Sequence, residues 1–110
     1  MTTPQAEYMQ GTLDLLILKV LAEGKNHGWG VARRLKQVSH EVLQVNEGSL
    51  YPALHRLELK GWIKSGWGVS DRNRKAKFYE LTAVGRTEVE TETRKWRQFT
   101  IAVEQVLQLG

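Results

Sequence analysis

The fold is decided by the stretch Asn46-Glu47-Gly48-Ser49-Leu50-Tyr51-Pro52-Ala53-Leu54-His55-Arg56-Leu57-Glu58-Leu59-Lys60-Gly61-Trp62-Ile63. A helix of period 3.6 sorts these residues onto two sides. The side expected to face the core carries Leu50, Leu54, Leu57 and Gly61. The remaining sides carry Ser49, Pro52, His55, Arg56, Leu59 and Lys60. The stretch therefore predicts a helix that packs along one stripe and offers its other surface to a ligand.

Two short strands and a basic turn follow this helix. Gly61 marks the place where the helix ends, and residues 62–67 then alternate roughly between apolar and polar, as a half-buried strand does. The segment 70–75, in which three of the six residues are basic, turns the chain, and residues 76–81 return it as a second strand. A helix followed by a hairpin with a strongly positive tip suits a polyanionic target.

The start of the helix has two interpretations. If Asn46 caps it, Glu47 lies near the positive end of the helix dipole, but Pro52 then falls inside the helix and removes a backbone hydrogen bond. If Ser49 is the cap, Pro52 falls in the first turn, where its missing donor costs little. The sequence leaves both boundaries open.

Length and composition bound the class of protein. The 110 residues suffice for one domain, and 16 Lys plus Arg against 12 Asp plus Glu give a net charge of +4 and a pI near 9.6. This positive charge weakly favours a nucleic acid or an anionic membrane surface as partner. Because there is no cysteine and the three histidines lack ligand spacing, we expect no disulfide, no metal site and no cofactor.

Neither a membrane protein nor an enzyme is expected. The apolar run Leu13–Leu21 is too short and too charged to cross a bilayer, and no basic segment precedes it as in a signal peptide, so we expect a soluble cytoplasmic protein. The mixed charges of the last helix disfavour binding to a membrane surface. No nucleophile, base and orienting acid group together in the sequence, and Gly28-Trp29-Gly30 is too short for a phosphate-binding loop.

The first half of the chain predicts two further helices. One spans about Thr12–Glu23 and is apolar on nearly all sides, so more than one neighbour should cover it, and Gly24 ends it. It either begins early, near Pro4, or follows a frayed tail over residues 1–10. The next helix has Asn26 as its cap. Its buried stripe is expected at Val31, Leu35 and Val38, with the charges Arg33, Arg34 and Lys36 outside. A bridging segment that permits a small strand carries Val42, Leu43 and Val45.

These elements together make the winged variant of the helix-turn-helix, in which the later helix enters the major groove. The expected fold class is mainly α with a small β-hairpin. We divide the chain into a winged-helix DNA-binding domain over residues 1–81 and a C-terminal dimerisation helix over residues 82–110, folded as one compact unit.

Four blocks of sequence between Gly11 and Arg86 form a specific series. They are Gly11-Thr12-Leu13-Asp14-Leu15-Leu16-Ile17-Leu18, His27-Gly28-Trp29-Gly30, Gly48-Ser49-Leu50-Tyr51-Pro52-Ala53-Leu54-His55-Arg56-Leu57-Glu58 and Tyr79-Glu80-Leu81-Thr82-Ala83-Val84-Gly85-Arg86. In content and order they resemble the PadR-like transcriptional regulators, which usually have an aromatic residue, most often tyrosine, at the position of Trp29. The resemblance implies a winged-helix domain with a C-terminal dimerisation helix, acting as a repressor on a pseudo-palindromic operator. The wing here is short and cationic, where the family often has a longer acidic or glycine-rich one.

The predicted helix that lies between Asn46 and Gly61 is called the reading helix. Its candidate DNA contacts follow from side-chain chemistry. Arg56 and His55 are assigned to base edges, Lys60 to guanine edges or phosphates, and Ser49 and Tyr51 to phosphates. The resemblance also implies DNA contact for Tyr51, and an aromatic residue at the edge of the core is an equal alternative.

Candidate contacts on the wing are cations that follow the DNA backbone or enter the minor groove. They are Arg72, Arg74, Lys75 and Lys77. A solvated hairpin tip is the commoner explanation of such a run. The charges of the second helix have a weaker claim, since an exposed helix face is normally charged.

The end of the chain predicts a dimer. Thr82 is expected to cap a last helix, whose apolar residues follow the three-and-four spacing of a helix packed on another helix. These candidate interface residues are Val89, Trp96, Phe99, Val103, Val106 and Leu107. One small domain has too little surface to cover both this arc and the first helix, so a second copy is expected to supply the cover.

Trp96 and Phe99 have two interpretations. As part of an apolar helix stripe they are favoured as anchors of a filled dimer core. The resemblance to short PadR-like members implies instead a cavity at the dimer centre, where a planar hydrophobic effector stacks on the tryptophan. The main alternative to a DNA-binding regulator is a winged-helix module that binds protein through its hairpin and does not bind DNA.

Overall fold

Residues 4–110 are described by a computed structural model, with side chains described from residue 11 onward. Within them, four helices and three strands follow one another along the chain. They are α1 (Pro4–Leu21), β1 (Asn26–His27), α2 (Gly28–Val38), α3 (Glu47–Leu59), β2 (Ile63–Val69), β3 (Lys75–Leu81) and α4 (Ala83–Leu107). The fold class is therefore mainly α with a small antiparallel sheet, which confirms the sequence-based expectation.

Helix α1 is the centre of the core. It begins at Pro4, as the early-start interpretation has it, while residues 1–3 of the predicted tail lie outside the described residues. Ile17, Leu18 and Leu21 are almost fully buried, because α2, α3, α4 and β3 all pack against this helix. The prediction of several covering neighbours is confirmed. The chain leaves the helix through Gly24, whose φ of 147° suits a residue without a side chain.

Helix α2 differs from its prediction at both ends. Its cap is His27, whose Nδ1 accepts a hydrogen bond from the backbone N–H of Gly30 at 2.9 Å. The predicted cap Asn26 lies one residue earlier, in β1, where its side chain accepts from the N–H of His27. At the other end Val38 is 58% exposed, because it is the last residue of α2 and the chain that follows leaves it uncovered. The buried stripe stops at Leu35.

The connection between α2 and α3 is irregular over residues 42–46, so the strand permitted there does not form. The third strand of the sheet is instead β1, which pairs with β3 through Asn26 opposite Tyr79 and His27 opposite Phe78. A strand of two residues is too short to leave an alternating pattern in the sequence.

Helix α3 settles the question of its cap. The side chain of Asn46 accepts from the N–H of Ser49 at 2.9 Å, and Pro52 lies inside the helix. Leu50, Leu54 and Leu57 are buried, as the periodicity predicts. Gly61 lies beyond the helix end with a φ of 77°, so it turns the chain toward the sheet.

The hairpin joins β2 and β3 in antiparallel register, from Ile63 opposite Leu81 to Val69 opposite Lys75. The sheet order is β1-β3-β2, which makes β2 an edge strand. Strand β2 extends two residues beyond its predicted end, and Trp62 precedes it. Ile63, Tyr79 and Leu81 are buried at the base of the hairpin, while its tip projects into solvent.

Helix α4 begins at the predicted cap, where the Thr82 hydroxyl accepts from the N–H of Gly85 at 3.1 Å. A Cβ at Gly85 would overlap the carbonyl oxygen of Trp62, so the missing side chain lets α4 lie directly against the start of β2. Val89 is buried in the core of the same chain. Beyond residue 93 every residue of α4 is exposed.

Candidate nucleic-acid interface

A cleft of about 450 Å³ separates the hairpin from the starts of α2 and α3. Its lining comprises His27, Gly28, Trp29, Tyr51, Trp67, Ser70, Asp71, Arg72, Arg74, Lys75, Ala76, Lys77 and Tyr79. The predicted contacts Tyr51, Arg72, Arg74, Lys75 and Lys77 therefore share one cavity. Four cations and one carboxylate give this cleft a net positive charge, and exposed aromatic rings lie between the cations.

The wing cations make only weak contacts within the protein. Lys75 lies over the ring of Trp67 with its Nζ 5.0 Å from the centroid. Lys77 has its Nζ 3.9 Å from a carboxylate oxygen of Glu58 on α3. All four wing cations are exposed, so their ammonium and guanidinium groups remain accessible to an anion.

Four of the predicted DNA contacts on α3 and at its end are exposed, and the fifth, Arg56, is partly buried. Ser49, Tyr51 and His55 are exposed on the outer surface, and Tyr51 is 46% exposed at the edge of the cleft. Lys60, at the end of the helix, has its Nζ 4.6 Å from the ring centroid of Trp62. These positions agree with the sequence-based division of α3 into a buried and an exposed side.

Arg56 is engaged inside the protein. Its Nη2 donates to Asp14 on α1 at 2.9 Å, and its side chain is only 30% exposed. Its Nε is buried with no hydrogen-bond partner among the described residues. A base contact by Arg56 would require this ion pair to open. Asp14 therefore competes with DNA for Arg56, which the sequence analysis did not anticipate.

Burial shifts the pKa of two acidic groups near the interface. Burial raises the pKa of Asp14 above its usual value and outweighs the opposite effect of the Arg56 guanidinium, although the two side chains form an ion pair. Burial also raises the pKa of the Tyr79 hydroxyl at the floor of the cleft, and the nearby Glu58 carboxylate adds to this. Burial therefore disfavours the charged form of Asp14, and the ion pair with Arg56 of α3 offsets only part of this effect.

The cations of α2 lie at different places. Arg34 makes two hydrogen bonds to the Glu23 carboxylate, at 2.9 and 3.0 Å, which ties α2 to the end of α1. Arg33 faces the wing, with its guanidinium 4.1 Å from the ring centroid of Trp29. Lys36 is exposed. Of the three, only Arg33 contacts a residue of the cleft.

Sequence reasoning missed four residues of this region. His27, Trp29 and Trp67 line the cleft, and Asp14 holds Arg56. For Asp14 a signal exists, because a carboxylate within an otherwise apolar helix requires a partner. The two tryptophans carry no such signal, since the elements that enclose the cleft are distant in sequence.

The predicted dimer residues are exposed apolar side chains on α4, with one exception. Trp96, Phe99 and Val103 are 38–40% exposed, and the rings of Trp96 and Phe99 lie 5.8 Å apart between centroids. Val106 and Leu107 are more exposed still. Val89 is the exception, because it is 6% exposed and packs within its own chain. Beyond Val89, this side of α4 is therefore a row of partly to largely exposed apolar side chains.

Among the described residues, no helix combines the length and apolar character that a membrane span requires. The same part of the chain contains no group of three or more histidine and carboxylate side chains that would hold a metal ion.

The fold and the cationic cleft together define a winged helix-turn-helix protein. The sequence model of the PadR-like transcriptional regulator family matches residues 17–91, which is more than half of the chain. The chain therefore belongs to the PadR-like family of transcriptional regulators, as the sequence resemblance implies. This family is one of regulators and not of enzymes.

Individual relatives agree with this assignment. The chain is 35% identical over 89 residues to the transcriptional regulator Rv3488 of Mycobacterium tuberculosis, covering 81% of this chain and 78% of that protein. It is similar in structure to a PadR family transcription regulator from Clostridium difficile, with 32% identity, a TM-score of 0.72, and coverage of 86% and 97% of the two chains. A transcriptional regulator from Clostridium thermocellum aligns with a TM-score of 0.81 at 25% identity, over 90% of this chain and 96% of that one.

Proposed function

We propose that the protein is a cytoplasmic, sequence-specific DNA-binding repressor that binds a pseudo-palindromic operator as a homodimer. The observation that carries this proposal is the cleft in which four wing cations lie beside the exposed surface of α3. Cations spaced along a hairpin neutralise phosphates, and an adjacent exposed helix supplies base contacts. Membership of a family of transcriptional regulators supports the same function.

Each exposed side chain has a proposed role on the duplex. His55 reads base edges, while Ser49, Tyr51 and Lys60 contact phosphates and fix the position of α3 in the major groove. Arg56 reads a guanine in molecules whose ion pair with Asp14 opens, because this pair occupies its Nη2 and holds the side chain against α1. The wing cations contact the backbone or the minor groove beside α3. They are Arg72, Arg74, Lys75 and Lys77.

We propose that residues 82–110 form the dimerisation helix and residues 1–81 the DNA-binding domain. Support comes from the exposed apolar side of α4, which a monomer would leave in water. Its residues are Trp96, Phe99, Val103, Val106 and Leu107. A twofold axis through this surface would present two α3 helices and two wings to the two halves of an operator.

A planar hydrophobic effector is the second element of the proposal, and it competes with a simple packing role for Trp96 and Phe99. The two rings are tilted by 45° and partly exposed, so a flat molecule has an aromatic face available between paired helices. Titration with a planar hydrophobic dye tests this role. We expect quenching of tryptophan emission that Trp96→Phe abolishes, and unchanged emission would assign both residues to packing alone.

The DNA-binding proposal is tested by the salt dependence of affinity for the DNA upstream of the gene, measured by fluorescence anisotropy. The logarithm of affinity should fall linearly with the logarithm of salt concentration, by about 0.9 for each phosphate contact. The double variant Arg74→Gln with Lys75→Gln should flatten this slope. The control Lys19→Gln with Arg86→Gln removes two exposed charges outside the cleft and should leave the slope nearly unchanged.

Two outcomes would contradict the proposal. One is the absence of binding to any duplex in dilute buffer. The other is an affinity that salt does not change, which would favour the alternative of a winged-helix module that binds a protein through its hairpin. Equal loss of affinity in the wing variant and the control variant would show that the wing has no special role.

A further inference from the structure

The tip of the wing contacts the start of α2 through Trp29. The guanidinium of Arg72, at the tip, lies over the Trp29 indole at 4.9 Å from the ring centroid. Arg33, one turn further along α2, lies over the same indole at 4.1 Å. Arg33 also has its Nη2 3.9 Å from the carboxylate of Asp71, the neighbour of Arg72. Two residues of the tip are thus joined to two residues of α2 around one aromatic ring.

The indole of Trp29 also contacts a buried residue, His27. The imidazole of His27 stacks on it with 5.5 Å between centroids and an angle of 22° between planes. His27 is buried, caps α2 through Gly30, and packs edge to face on Phe78 of β3. The position of Trp29 therefore follows that of α2 and the base of the sheet.

The outer half of the hairpin is largely exposed to solvent in the described part of the structure. Val69 is 65% exposed, and residues 71–75 are exposed. Within the described residues, the turn is closed by local hydrogen bonds. They run from the N–H of Asn73 to the carbonyl of Ser70, from the N–H of Ser70 to the carbonyl of Arg74, and from the N–H of Arg74 to the Ser70 hydroxyl. Burial thus fixes the base of the wing, while the contacts around Trp29 fix its tip.

We propose that Trp29 is a positioning residue that sets the distance between the wing and the reading helix α3. An arginine stacked on an aromatic ring uses its face and keeps its in-plane N–H groups for a phosphate, so Arg72 contacts Trp29 and DNA together. The wing and α3 then meet the duplex at one preferred spacing. The consequence for affinity rests on the DNA-binding function proposed above, whereas the consequence for the wing itself does not.

The first test uses the protein without DNA and measures backbone ¹⁵N relaxation of residues 71–74. We expect Trp29→Ala to lower the order parameters of the tip from about 0.85, typical of rigid backbone, toward about 0.6. Trp29→Tyr keeps an aromatic face and should retain most of the order. The matched control is Trp67→Ala, because the cation over its ring, Lys75, belongs to the hairpin itself and not to α2.

A second pair of variants keeps this test decisive if Trp29→Ala fails to fold. Arg72→Gln removes the contact between the tip and Trp29 and leaves the sequence of α2 unchanged. Arg74→Gln removes the same charge from another tip residue, one that does not lie over Trp29 in the described part of the structure. Mobility at the tip should rise in the first variant and not in the second. Unchanged order in both Trp29→Ala and Arg72→Gln, or equal loss in the controls, would overturn the proposal.

The DNA test compares variants of identical net charge. Trp29→Ala should lower operator affinity by about three- to tenfold, which corresponds to about 0.7–1.4 kcal/mol, and Trp29→Tyr should restore it. The thermal midpoint of unfolding is measured in parallel to separate positioning from loss of fold. A mobile tip with unchanged affinity would overturn the positioning role. If no variant, including the wild type, binds DNA, the proposed function fails, while the relaxation data still decide whether Trp29 holds the wing.

Discussion

At the scale of single residues, the ion pair of Asp14 and Arg56 connects a structural contact with a proposed DNA contact. It joins the central helix α1 to the reading helix α3, and the two side chains are 12% and 30% exposed. Because burying two charges costs desolvation energy that offsets their attraction, we expect the pair to add little net stability and to act mainly on the position of α3 against α1. Loss of one partner would leave the other charge poorly solvated.

The raised pKa of Asp14 gives a pH-dependent prediction. The folded state holds its proton more tightly than the unfolded chain, whose carboxyl has the ordinary pKa of 3.8. Stability from this group is therefore complete below pH 3.8 and is lost as pH rises through the higher folded-state pKa. Compared with Asp14→Asn, the wild type should lose free energy of unfolding over this interval, by at most about 1.4 kcal/mol per pH unit.

Urea unfolding of both proteins in steps from pH 4 upward measures this difference. The Asn variant keeps the shape of the side chain and lacks its titration, so subtraction isolates Asp14. A wild type that gains stability relative to Asp14→Asn as the pH rises would show that attraction to Arg56 outweighs burial.

At the scale of elements, Thr82 joins three of them. Its hydroxyl donates to the carbonyl of Gly61, after α3, at 2.6 Å and accepts from the N–H of Gly85, in α4. Its backbone N–H donates to the carbonyl of Trp62, before β2, at 3.1 Å. The start of α4 is therefore fixed relative to α3 and the hairpin by one side chain and its backbone.

Replacement of this hydroxyl should destabilise the protein. Thr82→Val keeps the shape and loses the cap and the bond to Gly61, which should lower the free energy of unfolding by about 1–2 kcal/mol. Thr82→Ser keeps the hydroxyl and should stay within about 0.5 kcal/mol of the wild type. Chemical denaturation measures both, and equal stability of the two variants would show that the hydroxyl contributes nothing.

The elements also show what the sequence determines. Periodicity predicts α3 and its buried leucines, and the apolar and basic pattern predicts the hairpin and its cationic tip, because these features depend on neighbouring residues. Strand β1 and the His27 cap depend on pairing with β3 and on a side chain outside the usual capping types, so no local pattern reveals them. Val38 follows the period correctly and is exposed because no neighbour covers it.

In the candidate site, too, some residues were predictable from local sequence and others were not. Tyr51 and the wing cations are predicted from local chemistry, and the structure gathers them in one cleft. The contact of Arg56 with Asp14 joins residues 42 positions apart. The contacts of Trp29 with the wing tip likewise join distant segments. Such contacts follow from the tertiary arrangement of α1, α2, α3 and the sheet, which local sequence patterns do not reveal.

At the scale of the whole molecule, the exposed apolar side of α4 determines the assembly that we expect. Beyond residue 93 every residue of α4 is exposed, and large apolar residues lie along one side of it, so we expect this side to be buried by pairing, as proposed above. In a twofold pair this contact also sets the separation of the two α3 helices, so dimerisation and operator spacing depend on the same surface.

Charge placed on this surface should separate the protomers. Val103→Glu introduces a carboxylate among Trp96, Phe99 and Val106, and burying it without a partner is costly, so the variant should sediment as a monomer at concentrations where the wild type is a dimer. Ile101→Glu is the matched control, since helical spacing places Ile101 on the opposite side of α4. Dimers in both variants, or a monomeric wild type, would contradict the proposed interface.

The central claim is that paired protomers bind duplex DNA through their wings and reading helices. Hydroxyl-radical footprinting on the DNA upstream of the gene tests it most directly. We expect two protected half-sites related by twofold symmetry, with centres about one helical turn, roughly 10 base pairs, or a multiple of it apart. Absence of protection in low salt, or a single asymmetric protected site, would contradict the account.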